Sequence, residues 1–198
     1  TVFAMTFGTS TDKAVAGDYT GDGKTDVAFW RPSTGAWFIS RSEDSSYYSF
    51  PFGTTGDMPA PGDYDGDGVA DFVVWRRLSG SQQFWKRLAT GEQSTIVFGT
   101  DHEGIAPGDY DGDGKTDLCV FKTSGGFYVW DFEPSGTAGV TVVSDTWGIP
   151  GDIVVPGDYD GDGKSDYAIW RPGTQGVFWV MTVGDRRIFT KEWGQTGD

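Results

Sequence analysis

One cysteine, Cys119, and one histidine, His102, stand among 198 residues. A lone cysteine excludes an intrachain disulfide framework. Zinc and copper sites, which draw on thiolate and imidazole, cannot be assembled either. Cys119 lies in the apolar run Leu118-Cys-Val120 and is expected to be a small buried residue. His102 falls in a variable linker and is expected to face solvent. No apolar run approaches the roughly 18 residues that cross a bilayer as a helix, and helical periodicity is absent. No secretory leader is legible. The chain opens inside a strand-like stretch, Thr1-Val-Phe-Ala-Met-Thr-Phe7, and is expected to be a mature or excised segment. Basic residues are scarce too: 15 Lys and Arg face 29 Asp and Glu, a formal charge of −14. That balance argues against nucleic acid and anionic membranes as partners.

Aspartate, glycine and aromatic residues are abundant. One acidic phrase recurs four times: Gly17-Asp-Tyr-Thr-Gly-Asp-Gly-Lys-Thr-Asp26, Gly62-Asp-Tyr-Asp-Gly-Asp-Gly-Val-Ala-Asp71, Gly108-Asp-Tyr-Asp-Gly-Asp-Gly-Lys-Thr-Asp117 and Gly157-Asp-Tyr-Asp-Gly-Asp-Gly-Lys-Ser-Asp166. Counting the first Asp as position 1, side-chain oxygens fall at 1, 3, 5 and 9, with Gly at 4 and 6. So many carboxylates in nine residues repel one another without a counter-ion. A hard dication relieves this, and calcium accepts roughly six to eight oxygens. Magnesium prefers a smaller, stricter octahedron and keeps its waters. Position 7 varies (Lys24, Val69, Lys115, Lys164), as expected where only a main-chain carbonyl contributes. Plain Asx turns, which Asp-Gly pairs form without metal, are the alternative for any one copy; four copies with one spacing weigh further towards the ion. In the first copy Thr20 replaces the position-3 Asp, which predicts the weakest site. Fifteen of the 29 acids sit in these loops, so about four dications would bring the charge to about −6. An EF-hand is excluded, because position 12 is Phe29, Val74, Val120 or Ile169 rather than Glu.

The loops begin at Asp18, Asp63, Asp109 and Asp158, spaced by 45, 46 and 49 residues. Phe7-Gly8, Phe52-Gly53, Phe98-Gly99, Trp147-Gly148 and Trp193-Gly194 keep the same rhythm. Repeats of this length built from short strands predict an all-β propeller of four-stranded antiparallel blades. The units run roughly over 9–53, 54–99, 100–148 and 149–194, with 1–8 as an extra outer strand that could close the ring. An open slice of a larger propeller, or a ring completed by pairing of chains, is the alternative. In each unit a first strand enters the loop and a solidly apolar second strand leaves it: 27–30, 72–75, 118–121 and 167–170. An aromatic third strand follows (36–39, 83–85, 127–130, 177–180), then a more polar fourth (46–50, 94–98, 140–143, 187–190). Trp30, Trp75, Phe121 and Trp170 are expected between blades. Trp37, Trp85, Tyr128 and Trp179 are the better candidates for exposure. Arg31, Arg76, Lys122 and Arg171 are expected to pair with acids such as Asp57 or Asp152, or to stack on a ring.

The stretch Phe52-Gly-Thr-Thr-Gly-Asp-Met-Pro-Ala-Pro-Gly-Asp-Tyr-Asp-Gly-Asp-Gly-Val-Ala-Asp71 with Val73-Val-Trp-Arg76 resembles the FG-GAP/VCBS-type repeats of secreted and surface proteins. It is also similar to the calcium-binding blades of integrin α-heads and of certain fungal lectins. The resemblance implies a β-propeller with about four calcium ions, one per loop. Its implied ligands are Asp18, Thr20, Asp22, the Lys24 carbonyl and Asp26 in the first loop. The second uses Asp63, Asp65, Asp67, the Val69 carbonyl and Asp71. The third uses Asp109, Asp111, Asp113, the Lys115 carbonyl and Asp117, and the fourth Asp158, Asp160, Asp162, the Lys164 carbonyl and Asp166. No catalytic set can be assembled from the remaining residues. The expectation is a secreted or cell-surface, non-catalytic module for adhesion or binding, recognising glycans or protein surfaces. A purely structural accessory module and a carbohydrate-active enzyme are the alternatives. Self-association is kept open.

Overall fold

The computed structural model describes residues 7–135 and 142–195. They form four antiparallel four-stranded sheets arranged as a four-bladed β-propeller. Blade 1 holds β1 (Lys13–Ala14), β2 (Val27–Arg31), β3 (Ala36–Ser40) and β4 (Tyr47–Pro51). Blade 2 holds β5 (Met58–Pro59), β6 (Phe72–Leu78), β7 (Ser81–Arg87) and β8 (Gln93–Val97). Blade 3 holds β9 (Gly104–Ile105), β10 (Leu118–Ser124), β11 (Phe127–Glu133) and β12 (Val143–Thr146). Blade 4 holds β13 (Ile153–Val154), β14 (Tyr167–Arg171), β15 (Val177–Met181) and β16 (Ile188–Glu192). Each blade is a meander in which sequence neighbours pair. Among the described residues no helix is long and apolar enough to cross a membrane.

The second strands are apolar on both faces, as suits strands covered on both sides in the inner blades, where Val73, Val74 and Trp75 are buried in succession. Fourth strands alternate exposed and half-buried residues, as β4 does, the pattern of an outer edge. The aromatic-glycine marker terminates each fourth strand. Phe52 N–H donates to Gly35 O and Trp193 N–H to Gly176 O. The indole N–H of Trp37, Trp130 and Trp170 reaches the carbonyl of Phe52, Trp147 and Trp193 at 2.8, 2.7 and 2.9 Å. Glycine is required at Gly35, where φ is +66° and a Cβ would lie 2.2 Å from Gly53 O.

Two expectations are corrected by register. Trp30 faces Trp37, Trp75 faces Phe84, Phe121 faces Trp130 and Trp170 faces Phe178. The equivalent third-strand residues are therefore Trp37, Phe84, Trp130 and Phe178, of which the first three are fully buried. Trp85 and Trp179 occupy the neighbouring position on the opposite face, and Tyr128 is buried in blade 3. A shift of one residue exchanges faces, so grouping these aromatics by composition mixed two columns. Among the described residues the fourth strand of blade 3 spans Val143–Thr146, later than the expected 140–143. Its register is fixed from its end, where Trp147 N–H donates to Tyr128 O. Residues 1–6 and 136–141 lie outside the described residues.

Three aromatic clusters join consecutive blades. Trp37, Ile39 and Tyr19 meet Phe72 and Val74 between blades 1 and 2. Phe84 and Tyr64 meet Leu118 and Val120 between blades 2 and 3. Trp130, Tyr110 and Phe132 meet Tyr167 and Ile169 between blades 3 and 4. Each buried ring contributes roughly 2–3 kcal/mol, so the junctions carry most of the core. Cys119 is fully buried there, as expected.

Candidate metal centres

Each acidic loop links the first two strands of a blade and is closed at its base by a bridge between the residue before position 1 and position 9: Gly17–Asp26, Gly62–Asp71, Gly108–Asp117 and Gly157–Asp166. The curl is built around the first carboxylate. In loop 2 the Gly66 and Gly68 N–H groups donate to Asp63 Oδ1 and Oδ2 at 2.7 and 2.8 Å. Loop 3 repeats this at Asp109 and loop 4 at Asp158. Glycines at 4 and 6 take φ between +74° and +89° in all four loops, a conformation disfavoured for other residues.

Position 9 is fully buried in every loop. Asp71 Oδ2 accepts from Tyr64 N–H at 2.9 Å and Oδ1 from Ala89 N–H at 3.0 Å. The same pair of bonds joins Asp26 to Tyr19 and Ser42, Asp117 to Tyr110 and Ser135, and Asp166 to Tyr159 and Val183. One carboxylate thus ties the loop to the turn after the third strand. Sequence reasoning missed those turn amides, which carry no side-chain signal. It also left the repeated tyrosine unexplained. Its hydroxyl donates to the carbonyl four residues earlier, as Tyr110 does to Ala106 at 2.7 Å. Its ring meets the next blade, as Tyr19 does on Phe72 with centroids 4.9 Å apart.

Positions 1, 3 and 9 converge in three loops. Ligand atoms of Asp63, Asp65 and Asp71 lie within 4.8 Å of one another, as do those of Asp109, Asp111 and Asp117 and of Asp158, Asp160 and Asp166. Loop 1, with Thr20 at position 3, forms no such group among the described residues. The position-5 acids are turned to the position-7 amides: Asp22 to Lys24 N–H, Asp67 to Val69, Asp113 to Lys115 and Asp162 to Lys164, at 2.8–2.9 Å. Burial pushes the Asp71 and Asp117 carboxyls up to about 6, and the carboxylates at positions 1 and 3 add to the rise. Asp166 moves the same way through burial, with Asp160 and Asp162 adding to the rise. These groups are all-oxygen and anionic, a donor set suited to a hard dication.

The expected ion pairs form beside the blade entrances. Arg31, Arg76 and Arg171 hold Asp12, Asp57 and Asp152 at 2.7–2.8 Å and lie over Phe38, Trp85 and Trp179. In blade 3 Lys122 pairs with Asp101 instead, while Glu103 accepts from Thr123. His102 is buried, contrary to expectation, because Gln82 and Asp131 of adjacent blades engage its two ring nitrogens.

Four meander blades, each with an aspartate loop between its first two strands, define an acid-looped propeller repeat. The FG-GAP-like repeat profile matches residues 18–74 and 109–169, more than half of the chain. The chain belongs to that family. No curated protein matches it.

Proposed function

We propose that the chain is a calcium-stabilised, non-catalytic binding module that works outside the cell. The convergence of three aspartate groups, each within 4.8 Å, carries this reading. Asp63, Asp65 and Asp71 would hold one ion, Asp109, Asp111 and Asp117 a second, and Asp158, Asp160 and Asp166 a third. Asp67, Asp113 and Asp162 and the carbonyls of Val69, Lys115 and Lys164 would complete the sets. Asp18, Thr20, Asp22, the Lys24 carbonyl and Asp26 form the weakest fourth site, since affinity follows ligand charge. Calcium supplies positive charge among acids whose ionised form burial and their mutual repulsion disfavour, and so couples ion binding to folding. Millimolar extracellular calcium would fill even modest sites, which favours a secreted or surface setting.

An apolar depression of ≈ 450 Å³ between blades 3 and 4, lined by Phe127, Trp147, Ile149, Arg171, Trp179 and Ile188, supports recognition of a glycan or a protein surface. Aromatic faces with one guanidinium suit the apolar face of a sugar and its hydroxyl groups. The test of the ion is calorimetric titration of chelator-treated protein with calcium and with magnesium. Three strong calcium sites and a large calcium-specific rise in melting temperature are expected. Equal melting in calcium and chelator refutes the reading. Glycan-array binding lost in Trp147→Ala would support the ligand role; no binding by the folded protein would leave a structural accessory module.

A further inference from the structure

The three inner junctions repeat one set of contacts. The position-8 N–H of each loop donates to the position-1 carbonyl of the preceding loop: Ala70 to Asp18, Thr116 to Asp63 and Ser165 to Asp109, at 2.7, 2.6 and 2.5 Å. The position-7 side chain lies over the preceding position-4 glycine, Val69 on Gly21, Lys115 on Gly66 and Lys164 on Gly112. The tyrosine beside each of these preceding loops is covered, with Tyr19, Tyr64 and Tyr110 exposed by 7, 7 and 1%.

Blade 4 presents the same face uncovered. Among the described residues Asp158 O receives no such bond, and nothing lies within 4 Å of a Cβ at Gly161. Tyr159 is 41% exposed and Trp193 71%. Two apolar depressions of ≈ 500 and ≈ 320 Å³ open there, lined by Tyr159, Phe178, Val180, Phe189, Trp170 and Trp193 among others. Blade 1 presents the complementary face. Thr25 N–H, the next donor in the series, makes no such bond among the described residues, and Lys24 holds the position of Lys115 and Lys164 with its side chain 68% exposed. Val27 is 54% exposed where Phe72, Leu118 and Tyr167 are 7, 6 and 3%.

We propose that a second copy of this chain completes the series, blade 4 of each copy seating on blade 1 of the other. Continuity with the three junctions supports this: the missing donor, acceptor, covering lysine and apolar strand are all present on one chain. The contact is head-to-tail, and two copies give eight blades, within the range over which propellers close. Phe7 rests on Phe29 with ring centroids 4.8 Å apart, in the place that Trp193 of the second copy would take, so docking displaces it.

Sedimentation velocity in calcium tests the proposal, with Val27→Glu blocking one face and Trp193→Glu the other. Both positions are exposed, so at concentrations low enough to keep the parent monomeric the variants should melt as it does. The parent should sediment as a dimer of twice 21.5 kDa and each variant as a monomer. An equimolar mixture of the two should recover dimer, because one intact junction remains in a mixed pair. Phe7→Ala should raise the dimer fraction. A parent monomeric at every concentration, variants that stay dimeric, or a mixture that stays monomeric would overturn the proposal.

Discussion

Asp111→Thr gives loop 3 the position-3 side chain that loop 1 already carries. Asp111 is exposed, and its carboxylate accepts one backbone bond, from Asp113 N–H at 3.0 Å. Without calcium the change should therefore fall within about 0.5 kcal/mol of neutral. Its sign should lean towards stabilisation, since Asp111 is one of the charges that push Asp117 upward. With calcium at about a hundredfold excess over the dissociation constant, each filled site contributes about 2.7 kcal/mol. For a chain of this length about 1 kcal/mol moves the melting temperature by roughly 2–4 °C. The variant should thus melt with the parent in chelator and about 5–11 °C below it in calcium, by scanning calorimetry. An equal loss in both buffers would show that Asp111 is merely structural. No loss in calcium would show that loop 3 holds no ion.

The reciprocal change, Thr20→Asp, should add a fourth strong site, read as one further equivalent in a calcium titration. Asp71 and Asp117 sit at about 6 when no cation is present, above the ordinary 3.8. The folded chain then holds more protons than the unfolded chain between about pH 4 and pH 6. Stability in chelator is thus greatest at the acid end of that window and is lost as pH rises through about 6. Melting in chelator should fall from about pH 5 to about pH 7, and calcium should abolish the fall. Tyr110→Phe removes the bond to Ala106 O from a buried site, and urea unfolding should show a loss of about 1 kcal/mol. Unchanged stability would mean that the hydroxyl bond holds nothing in place.

The blade count and the recurring acidic loops were legible because aspartate and glycine spacing encodes a turn directly; that positions 1, 3 and 9 would converge while position 5 turned to a backbone amide was not. Strand columns were less so. Trp85 and Trp37 look alike in a list, yet one residue of register puts them on opposite faces. His102 was hidden because its partners, Gln82 and Asp131, are 20 and 29 residues away in two blades. The clamps on Asp26, Asp71, Asp117 and Asp166 come from main-chain amides, which any sequence could supply. The uncovered faces of blades 1 and 4 entered only as the alternative of an open slice or a paired ring, because the motif is the same whether or not a neighbour follows it.

The bonds Ala70–Asp18, Thr116–Asp63 and Ser165–Asp109 string the four loops into a chain of nearest neighbours. Such an array behaves like a short one-dimensional lattice, in which inner elements are steadied from two directions and terminal ones from one. Fraying should consequently start at the extremities, with loops 2 and 3 the last to lose their shape. An ion captured in the middle would then lower the ordering cost for whatever arrives next door.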